Sequence, residues 1–452
     1  MATEETYKQN DWLNRLRTFF AGDLFGFLLV LLAVLVVCFN QYVYGAVLFA
    51  FLISALLLLC SDIITVFLPA MLLIAFVIQA KNSYNAFMEI AWAVPPVALS
   101  FCLHPILYRK LHRPKKGELF LPILLISCTM FLGGLGSITA AEYFRPISLA
   151  YMFALGFLIL FFYWDFGSII YPGANGEKEI GPRIAKQFCF LILFLALAVL
   201  EYYVEHRSEF LADPGILPFQ WRNNACTMLM IAMPFTFYLA MQHPVCYFGL
   251  SLISMGTIVM TGSRGGLVFG AVEFGLLLIY FAVKDKRHRK FYLTVTGVIL
   301  LAFLCLIPRM VDFLDYTLER FTSQGENAIR LGLWKRSVED FLSNPLTGRG
   351  LAYMGNRDLH HSATATLCWY HSTVPQIIGS FGILGILTFG YQYYMRIRFF
   401  HRRKSLFSRT VLFSWIGLEL MSLVNPGIFV PIYLLYITVL FVLVENYETT
   451  QE

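Results

Sequence analysis

Long runs of apolar residues constrain the fold of this chain more than any other feature of its sequence. A helix needs ~20 apolar residues to cross the hydrocarbon core of a bilayer, and fourteen stretches approach that length. They lie near residues 20–38, 43–60, 63–80, 86–107, 119–139, 146–166, 187–204, 225–241, 244–261, 265–283, 291–308, 374–395, 408–424 and 427–445. Charged residues make up only 14% of the chain, about half of the ~25% typical of soluble proteins. The sequence therefore predicts an all-α, polytopic membrane helix bundle.

Very short links in the pairs 43–80 and 408–445 leave the number of membrane helices open between twelve and fourteen, and fourteen is our prediction. With a cytoplasmic N-terminus, that terminus and alternate loops carry 22 of the 34 Lys and Arg residues. An excess of Lys and Arg in short loops marks the cytoplasmic side. Both termini are then cytoplasmic, and the net charge of +6 reflects topology rather than nucleic-acid binding.

One long segment, residues 309–371, interrupts the pattern and is predicted to be extracytoplasmic. Two apolar sets recur in it at helical spacing, and a break follows at Asn344-Pro345. We therefore expect two amphipathic helices that cap the bundle or lie in the lipid interface. The two sets are Val311, Leu314, Leu318 and Phe321, and Leu331, Trp334, Val338 and Phe341.

Metal binding and disulfide formation find no support in the sequence. The nine cysteines form no CxxC pair, and no ligand spacing typical of a zinc site is present. His360 and His361 could form a metal cluster with His371, but no carboxylate or further spacing supports one. We predict no metal site and no cofactor.

Arginines at the extracytoplasmic ends of predicted spans are the first candidates for chemistry. Arg264 lies in residues 261–266, T-G-S-R-G-G, between two spans. A guanidinium at that depth is costly without an anionic partner, and its geometry matches phosphate in a bidentate manner. The alternative is a tight turn with an arginine that extends to lipid headgroups. Arg222 precedes another span, where an interfacial anchor is the alternative, and Arg330 opens the second loop helix.

His371 lies at the start of the predicted span 374–395. Imidazole titrates near neutral pH and is a suitable general base, although a lone histidine also serves as a polar cap of a helix. Three carboxylates, Glu89, Glu273 and Glu419, lie within apolar stretches. An intramembrane carboxylate is a functional candidate, but because these are isolated we favour buried structural pairing.

The order of these features resembles the O-antigen ligase and O-antigen polymerase superfamily of bacterial membrane glycosyltransferases. The order is an outer Arg before a span, a T-G-S-R-G turn, a long outer loop with R-x3-W and N-P-x-x-G-x-G, and a His that opens the next span. The resemblance covers roughly residues 185–395, and Ser372 departs from it because members often carry Asn after the His. It is carried by Arg222, residues 261–266, Arg330, Trp334, residues 344–350, His371, Gly379 and Gly382.

The resemblance implies a polyprenyl-diphosphate-linked glycan as donor and a glycan or lipid-linked glycan as acceptor. Arg264, Arg222 and Arg330 would bind the diphosphate, and His371 would activate the acceptor hydroxyl. Ser263, Gly265 and Trp334 would support them. Two arginines can neutralise a diphosphate leaving group electrostatically, and a single displacement would invert the anomeric centre. The chain would reside in the bacterial cytoplasmic membrane and assemble a surface polysaccharide such as lipopolysaccharide or capsule.

Three regions follow from this reading: N-terminal membrane helices (1–184), a ligase- or polymerase-like catalytic region (185–395) and C-terminal helices (396–452). The alternative function is a glycolipid flippase. Flippases usually show internal repeats, and no repeat is detectable here. A non-catalytic scaffold would leave the outer Arg and His residues unexplained. Polymerase and ligase use the same donor, so the sequence does not separate them.

Overall fold

The computed structural model describes residues 11–61, 63–79, 89–108, 116–169, 177–212, 222–306, 324–355, 369–425 and 427–448. Every regular element within these ranges is helical, which confirms the all-α class. In chain order the α-helices are α1 (Asp11–Phe20), α2 (Asp23–Cys38), α3 (Tyr42–Leu59), α4 (Ile64–Gln79), α5 (Val94–Leu107), α6 (Phe120–Leu132), α7 (Ala140–Tyr143), α8 (Pro146–Phe153), α9 (Ile159–Ile169), α10 (Glu177–Glu205), α11 (Arg207–Ala212), α12 (Arg222–Ala240), α13 (Pro244–Met260), α14 (Arg264–Lys284), α15 (Arg289–Leu306), α16 (Gln324–Ser343), α17 (Thr373–Arg402), α18 (Leu406–Ser422) and α19 (Pro431–Glu448).

Five helical segments in the described part of the chain are long and apolar enough to cross a membrane. They are Tyr42–Leu59, Pro146–Asp165, Ile180–Glu205, Arg264–Lys284 and Thr373–Arg402. The second of these joins α8 and α9 through a π-helical turn at Ala154–Leu158. The helices α1 and α2, bent by 62° at their junction, form a sixth candidate if they act as one span.

Shorter apolar helices cover further predicted spans at Ile64–Val77, Val94–Leu107, Phe120–Leu132, Pro244–Met260 and Pro431–Asn446. A helix lies over each of the fourteen predicted apolar stretches. Because five or six segments of the described residues meet the length of a membrane span, the number fourteen stays a prediction.

The helix α12 forms the centre of the bundle. It packs against α10, α13, α14 and α18, and its residues are buried almost continuously from Ala225 to Ala240. A helix that is apolar on all sides is expected in such a position. Arg222 is the first residue of this helix, so its placement is tied to an element that is buried over most of its length.

The helix α17 is long and broken. Gly382 adopts φ 59° and ψ −145° inside it, a conformation that residues with a Cβ avoid. The predicted span 374–395 lies within this helix, which continues to Arg402. The predicted region boundary at 395/396 therefore falls inside α17, and the boundary at 184/185 falls inside α10.

The extracytoplasmic loop of the sequence analysis is described in part. Its first predicted helix, with Val311, Leu314, Leu318 and Phe321, lies outside the described residues. The second is α16, which ends at Ser343, directly before Asn344-Pro345. It packs along α17. Leu333, Ser337 and Asp340 are buried, whereas the predicted apolar face at Leu331, Trp334 and Val338 is exposed.

Candidate active site

The helices α12 and α14 each begin with an arginine that the sequence analysis proposed as a site residue, and a hydrogen bond joins their N-termini. Ser263 is the N-cap of α14, and its Oγ accepts a hydrogen bond from the Gly266 amide at 3.1 Å. The same hydroxyl donates to Asn223 Oδ1 at 2.7 Å. Asn223 follows Arg222, and Ser263 precedes Arg264. The structure therefore brings these two arginines to neighbouring helix starts, where unpaired N–H groups and the helix dipole favour anions.

The T-G-S-R-G-G turn has a geometry that its glycines permit. Gly262 has φ +68°, a left-handed conformation that favours glycine. Thr261 Oγ1 lies 3.1 Å from the Cys226 thiol and accepts the Ser263 amide at 3.3 Å. A Cβ at Gly266 would overlap the Cys226 side chain, so this glycine allows α14 to approach α12 closely.

Gly265, a predicted supporting residue, contacts the turn that follows α18. A Cβ at this position would lie 2.7 Å from Val424 Cγ2. The space at Gly265 is therefore used by a protein side chain, and its predicted role beside a ligand stays a prediction.

His371 lies two residues before the start of α17, with a half-buried ring. Its φ of +53° is left-handed, which is uncommon for a residue with a Cβ. The preceding residue, Tyr370, is fully buried. Its hydroxyl donates to Asp340 Oδ2 on α16 at 2.7 Å, and its backbone amide donates to Gln376 Oε1 at 3.0 Å. His371 is thus held next to a fixed aromatic residue.

The loop 344–350 is inserted into the break of α17. Normal helical hydrogen bonds would join the amides of residues 383 and 384 to the carbonyls of residues 379 and 380. Instead, these amides donate to Pro345 O and Leu346 O at 2.8 and 3.1 Å. The two carbonyls accept from the amides of Arg349 and Gly350 at 2.9 and 2.8 Å. Four hydrogen bonds therefore connect the N-P-x-x-G-x-G motif directly to the membrane helix.

Glycines make this insertion possible. Gly348 and Gly350 have φ of +63° and +76°. A Cβ at Gly348 would overlap the backbone of α17, and a Cβ at Gly382 would overlap Pro345 O. On its other side the loop contacts the turn after α6, where the Gly134 amide donates to Thr347 O at 3.0 Å. Glycine is required here because backbones pass at contact distance.

The starts of α12, α14 and α17 lie at one end of the bundle, which we call the site end. The turn after α18 connects them. Val424 of this turn lies against Gly265, and its neighbour Leu423 lines a cavity together with Thr373 and Val374 of α17. His371 therefore lies at the same end as Arg264.

The cavity between α17 and α18 has a volume of about 400 Å³. Its lining is mostly apolar and begins two residues after His371. The lining residues are Thr373, Val374, Ile377, Tyr393, Trp415, Ile416, Glu419, Leu420 and Leu423. The site end therefore combines polar helix starts with a mostly apolar cavity between α17 and α18.

The other two predicted site residues lie on α16. Arg330 is in its second turn, ten residues and about 15 Å of helix before Asp340. Trp334 shares an exposed face with Leu331 and Val338. Asp340 of α16, a residue that we did not single out from the sequence, accepts a hydrogen bond from Tyr370 just before α17. Roles for Arg330 and Trp334 in binding stay predictions.

Asp340 is the charged centre of the α16–α17 contact and is 4% exposed. Its Oδ1 lies 3.7 Å from Arg349 Nε, and Arg349 also donates to Ser137 O at 2.9 Å. Burial raises the pKa of the Asp340 carboxyl above its ordinary value, while the Tyr370 hydrogen bond and the charges of Arg349 and Arg336 act in the opposite direction.

The three intramembrane carboxylates differ in their surroundings. Glu419 accepts hydrogen bonds from Tyr393 (2.8 Å) and Trp415 (2.7 Å), and its Oε1 lies 3.6 Å from Arg396. The predicted structural pairing is confirmed for Glu419. It is wrong for Glu273, which is fully buried against Gly417 and has no hydrogen-bond partner within the described ranges. Glu89 is exposed.

Comparison with known families gives a match over part of the chain. The family model described as O-antigen ligase matches residues 249–390, a segment that includes Arg264, Arg330 and His371 and begins after Arg222. No curated protein gives a significant match to the chain. The predicted resemblance to the O-antigen ligase superfamily is confirmed over this segment, and the match together with the long apolar helices indicates an integral membrane protein.

Proposed function

We propose that this protein transfers a glycan from a polyprenyl-diphosphate carrier to a hydroxyl of an acceptor sugar. One observation carries the proposal: the Ser263–Asn223 hydrogen bond joins the helix starts that bear Arg264 and Arg222, at the same end of the bundle as His371. An anion site and a basic side chain at one end are what this reaction requires.

In the proposed reaction the acceptor oxygen attacks the anomeric carbon of the donor glycan. The bond between that carbon and the diphosphate oxygen breaks, and the polyprenyl diphosphate leaves with the bonding electrons. Arg222 and Arg264 neutralise the charge that develops on the leaving group. His371 accepts the proton of the attacking hydroxyl. A single displacement of this kind inverts the anomeric centre and uses arginines rather than a metal ion for charge neutralisation.

The same proposal assigns an orientation. The site end would face the periplasm or the cell exterior, because polyprenyl-linked glycans are used there without a nucleotide sugar. Arg330, in the second turn of α16, would contact a glycan-proximal phosphate or sugar. The superfamily match and the apolar helices support a membrane location, and the distribution of Lys and Arg supports this orientation.

The deciding experiment measures transfer by the purified protein in detergent. The donor is the lipid-linked glycan that accumulates in a strain deleted for this gene, and the acceptor fraction comes from the same strain. We expect His371→Ala to reduce the rate by 10²–10⁴, the usual contribution of a general base. His401→Ala, at the exposed C-terminal end of α17, is the matched control and should keep the wild-type rate.

A normal rate for His371→Ala would disprove the role of His371 as base. A wild-type protein that moves the glycolipid across vesicles but transfers no glycan would instead support the flippase. The products that accumulate in the deletion strain separate the two transferases. Single lipid-linked repeat units indicate a lost polymerase, and long lipid-linked chains indicate a lost ligase.

A further inference from the structure

We propose that Asp340 is a positioning residue for His371 and that it acts through Tyr370. The inference rests on the proposed function, because it assumes that His371 is the base, and it adds two residues that the sequence did not indicate. It follows from the contacts that surround residue 370 and from the backbone conformation of residue 371.

Tyr370 is immobilised from three directions. Its hydroxyl donates to Asp340 Oδ2 at 2.7 Å, and its amide donates to Gln376 Oε1 at 3.0 Å. Its ring lies against Gly379, where a Cβ would be 2.7 Å from the ring. Gln376 is itself oriented, because its Nε2 donates to Ser380 Oγ at 2.9 Å. A side chain with no exposed surface and these contacts has one available position.

Asp340 links that position to the rest of the site end. It is buried on α16, and its second oxygen faces Arg349 at 3.7 Å. Arg349 belongs to the loop inserted into α17, where its amide donates to Gly379 O. One carboxylate therefore holds three parts of the structure in register: the loop helix α16, the inserted loop and the residue before His371.

The backbone conformation of His371 explains why the relative placement of α16, the inserted loop and Tyr370 affects the position of the imidazole. Among the described residues other than glycine, only Asn40 and His371 have a positive φ. Such a conformation persists when the surroundings fix it, and it is frequent at functional sites. Tyr370 fixes one side. On the other side, Ser372 O accepts the Gln376 amide at 3.0 Å in the first turn of α17. The backbone from which the His371 side chain extends is therefore held on both sides.

The direct test measures how fast diethyl pyrocarbonate modifies His371 in the purified full-length protein, by peptide mass spectrometry. Tyr370→Phe removes one hydroxyl and keeps the ring, and Asp340→Asn removes the charge and keeps the shape. We expect the rate at His371 to change at least threefold in both variants. The rate at exposed His401 should stay constant. Tyr292→Phe is the matched control, because Tyr292 is another buried tyrosine whose hydroxyl donates to an aspartate, Asp285.

Transfer kinetics provide a second measurement. If Tyr370 acts by orienting the base, Tyr370→Phe should lower kcat about tenfold and change KM for the lipid-linked glycan less than twofold. In a His371→Ala background the same substitution should cause no further loss. A merely structural role predicts a lower melting temperature with an unchanged modification rate at His371, and that result overturns the proposal.

A failure of this inference can be distinguished from a failure of the proposed function. If His371→Ala transfers glycan at the wild-type rate, the general-base role fails, and the modification rates still decide whether Asp340 and Tyr370 orient the ring. If Tyr370→Phe cannot be purified, Asp340→Asn supplies the same comparison. Unchanged modification of His371 in the variants that fold refutes the inference.

Discussion

At the scale of single residues, Arg264 is the most informative side chain. It is the first residue of α14, and its neighbour Ser263 connects α14 to the start of α12. A guanidinium binds a diphosphate through two parallel hydrogen bonds, which the point charge of lysine reproduces only in part. The two alternatives from the sequence, a diphosphate ligand and an interfacial headgroup, therefore predict different tolerance for lysine.

We predict that Arg264→Lys loses much of the transfer activity and that Arg264→Ala loses nearly all of it. Loss of one group that stabilises developing negative charge costs on the order of 3 kcal/mol in the barrier. The measurement is the transfer rate with the purified lipid-linked glycan. Arg398→Lys, at an exposed position of α17, is the control. A wild-type rate for Arg264→Lys would favour the headgroup alternative.

The sequence revealed some of these residues and not others, for a physical reason. Arg264 and His371 can be recognised as candidates from the sequence because charged or titratable groups at the ends of apolar stretches are unusual. Asp340 cannot be recognised as a candidate in this way, since acidic residues are common in amphipathic loop helices and the sequence does not show what this one contacts. Tyr370 lies 30 positions away from Asp340, and no local pattern joins the two.

At the scale of elements, the broken helix α17 and the loop 344–350 form one unit. The N-P-x-x-G-x-G spacing correctly indicated the end of a helix, which α16 reaches at Ser343. That this loop supplies the hydrogen bonds missing from α17 could not be predicted, because the partners are thirty or more residues apart. Gly379 and Gly382 indicated an unusual position in the predicted span, but they did not indicate that the loop 344–350 would bind there.

We predict that Gly382→Ala destabilises the protein by on the order of 3 kcal/mol, because a Cβ strains the left-handed backbone and overlaps Pro345 O. The control is Gly390→Ala in the same helix, where a Cβ meets nothing within 4 Å and where alanine should be tolerated. Thermal unfolding of both variants in detergent gives the comparison. Equal melting temperatures would contradict a structural role for the insertion.

At the scale of the whole molecule, helix length and site position are related. The helix α6 has 13 residues, about 20 Å, whereas the hydrocarbon core is about 30 Å thick. It ends at the glycine turn that contacts the inserted loop. The apolar stretch predicted at 119–139 thus contains a shorter helix and a turn. Hydropathy does not distinguish these, because the turn at 133–137 (G-G-L-G-S) contains no charged residue and reads as part of the apolar stretch.

The predicted topology places α16 outside and the link between α17 and α18 inside the cell. A cysteine at Lys335, which is 81% exposed, should react with a membrane-impermeant maleimide in intact cells whose outer envelope has been permeabilised. A cysteine at exposed Lys404 should react only after the membrane is lysed. The opposite pattern would reverse the orientation, and equal labelling in intact cells would refute an odd number of crossings between the two positions.

The insertion of residues 344–350 into α17 also bears on how this protein can recombine with its relatives. Three segments contact one another through their backbones, namely 133–137, 344–350 and 379–384. The sequence of each must therefore be compatible with the other two. A gene crossover between the codons for 351 and 378 would combine a loop from one parent with a helix break from another. Viable chimeras should therefore inherit all three segments from one ancestor, even when the glycan specificity of the remaining chain comes from a different one.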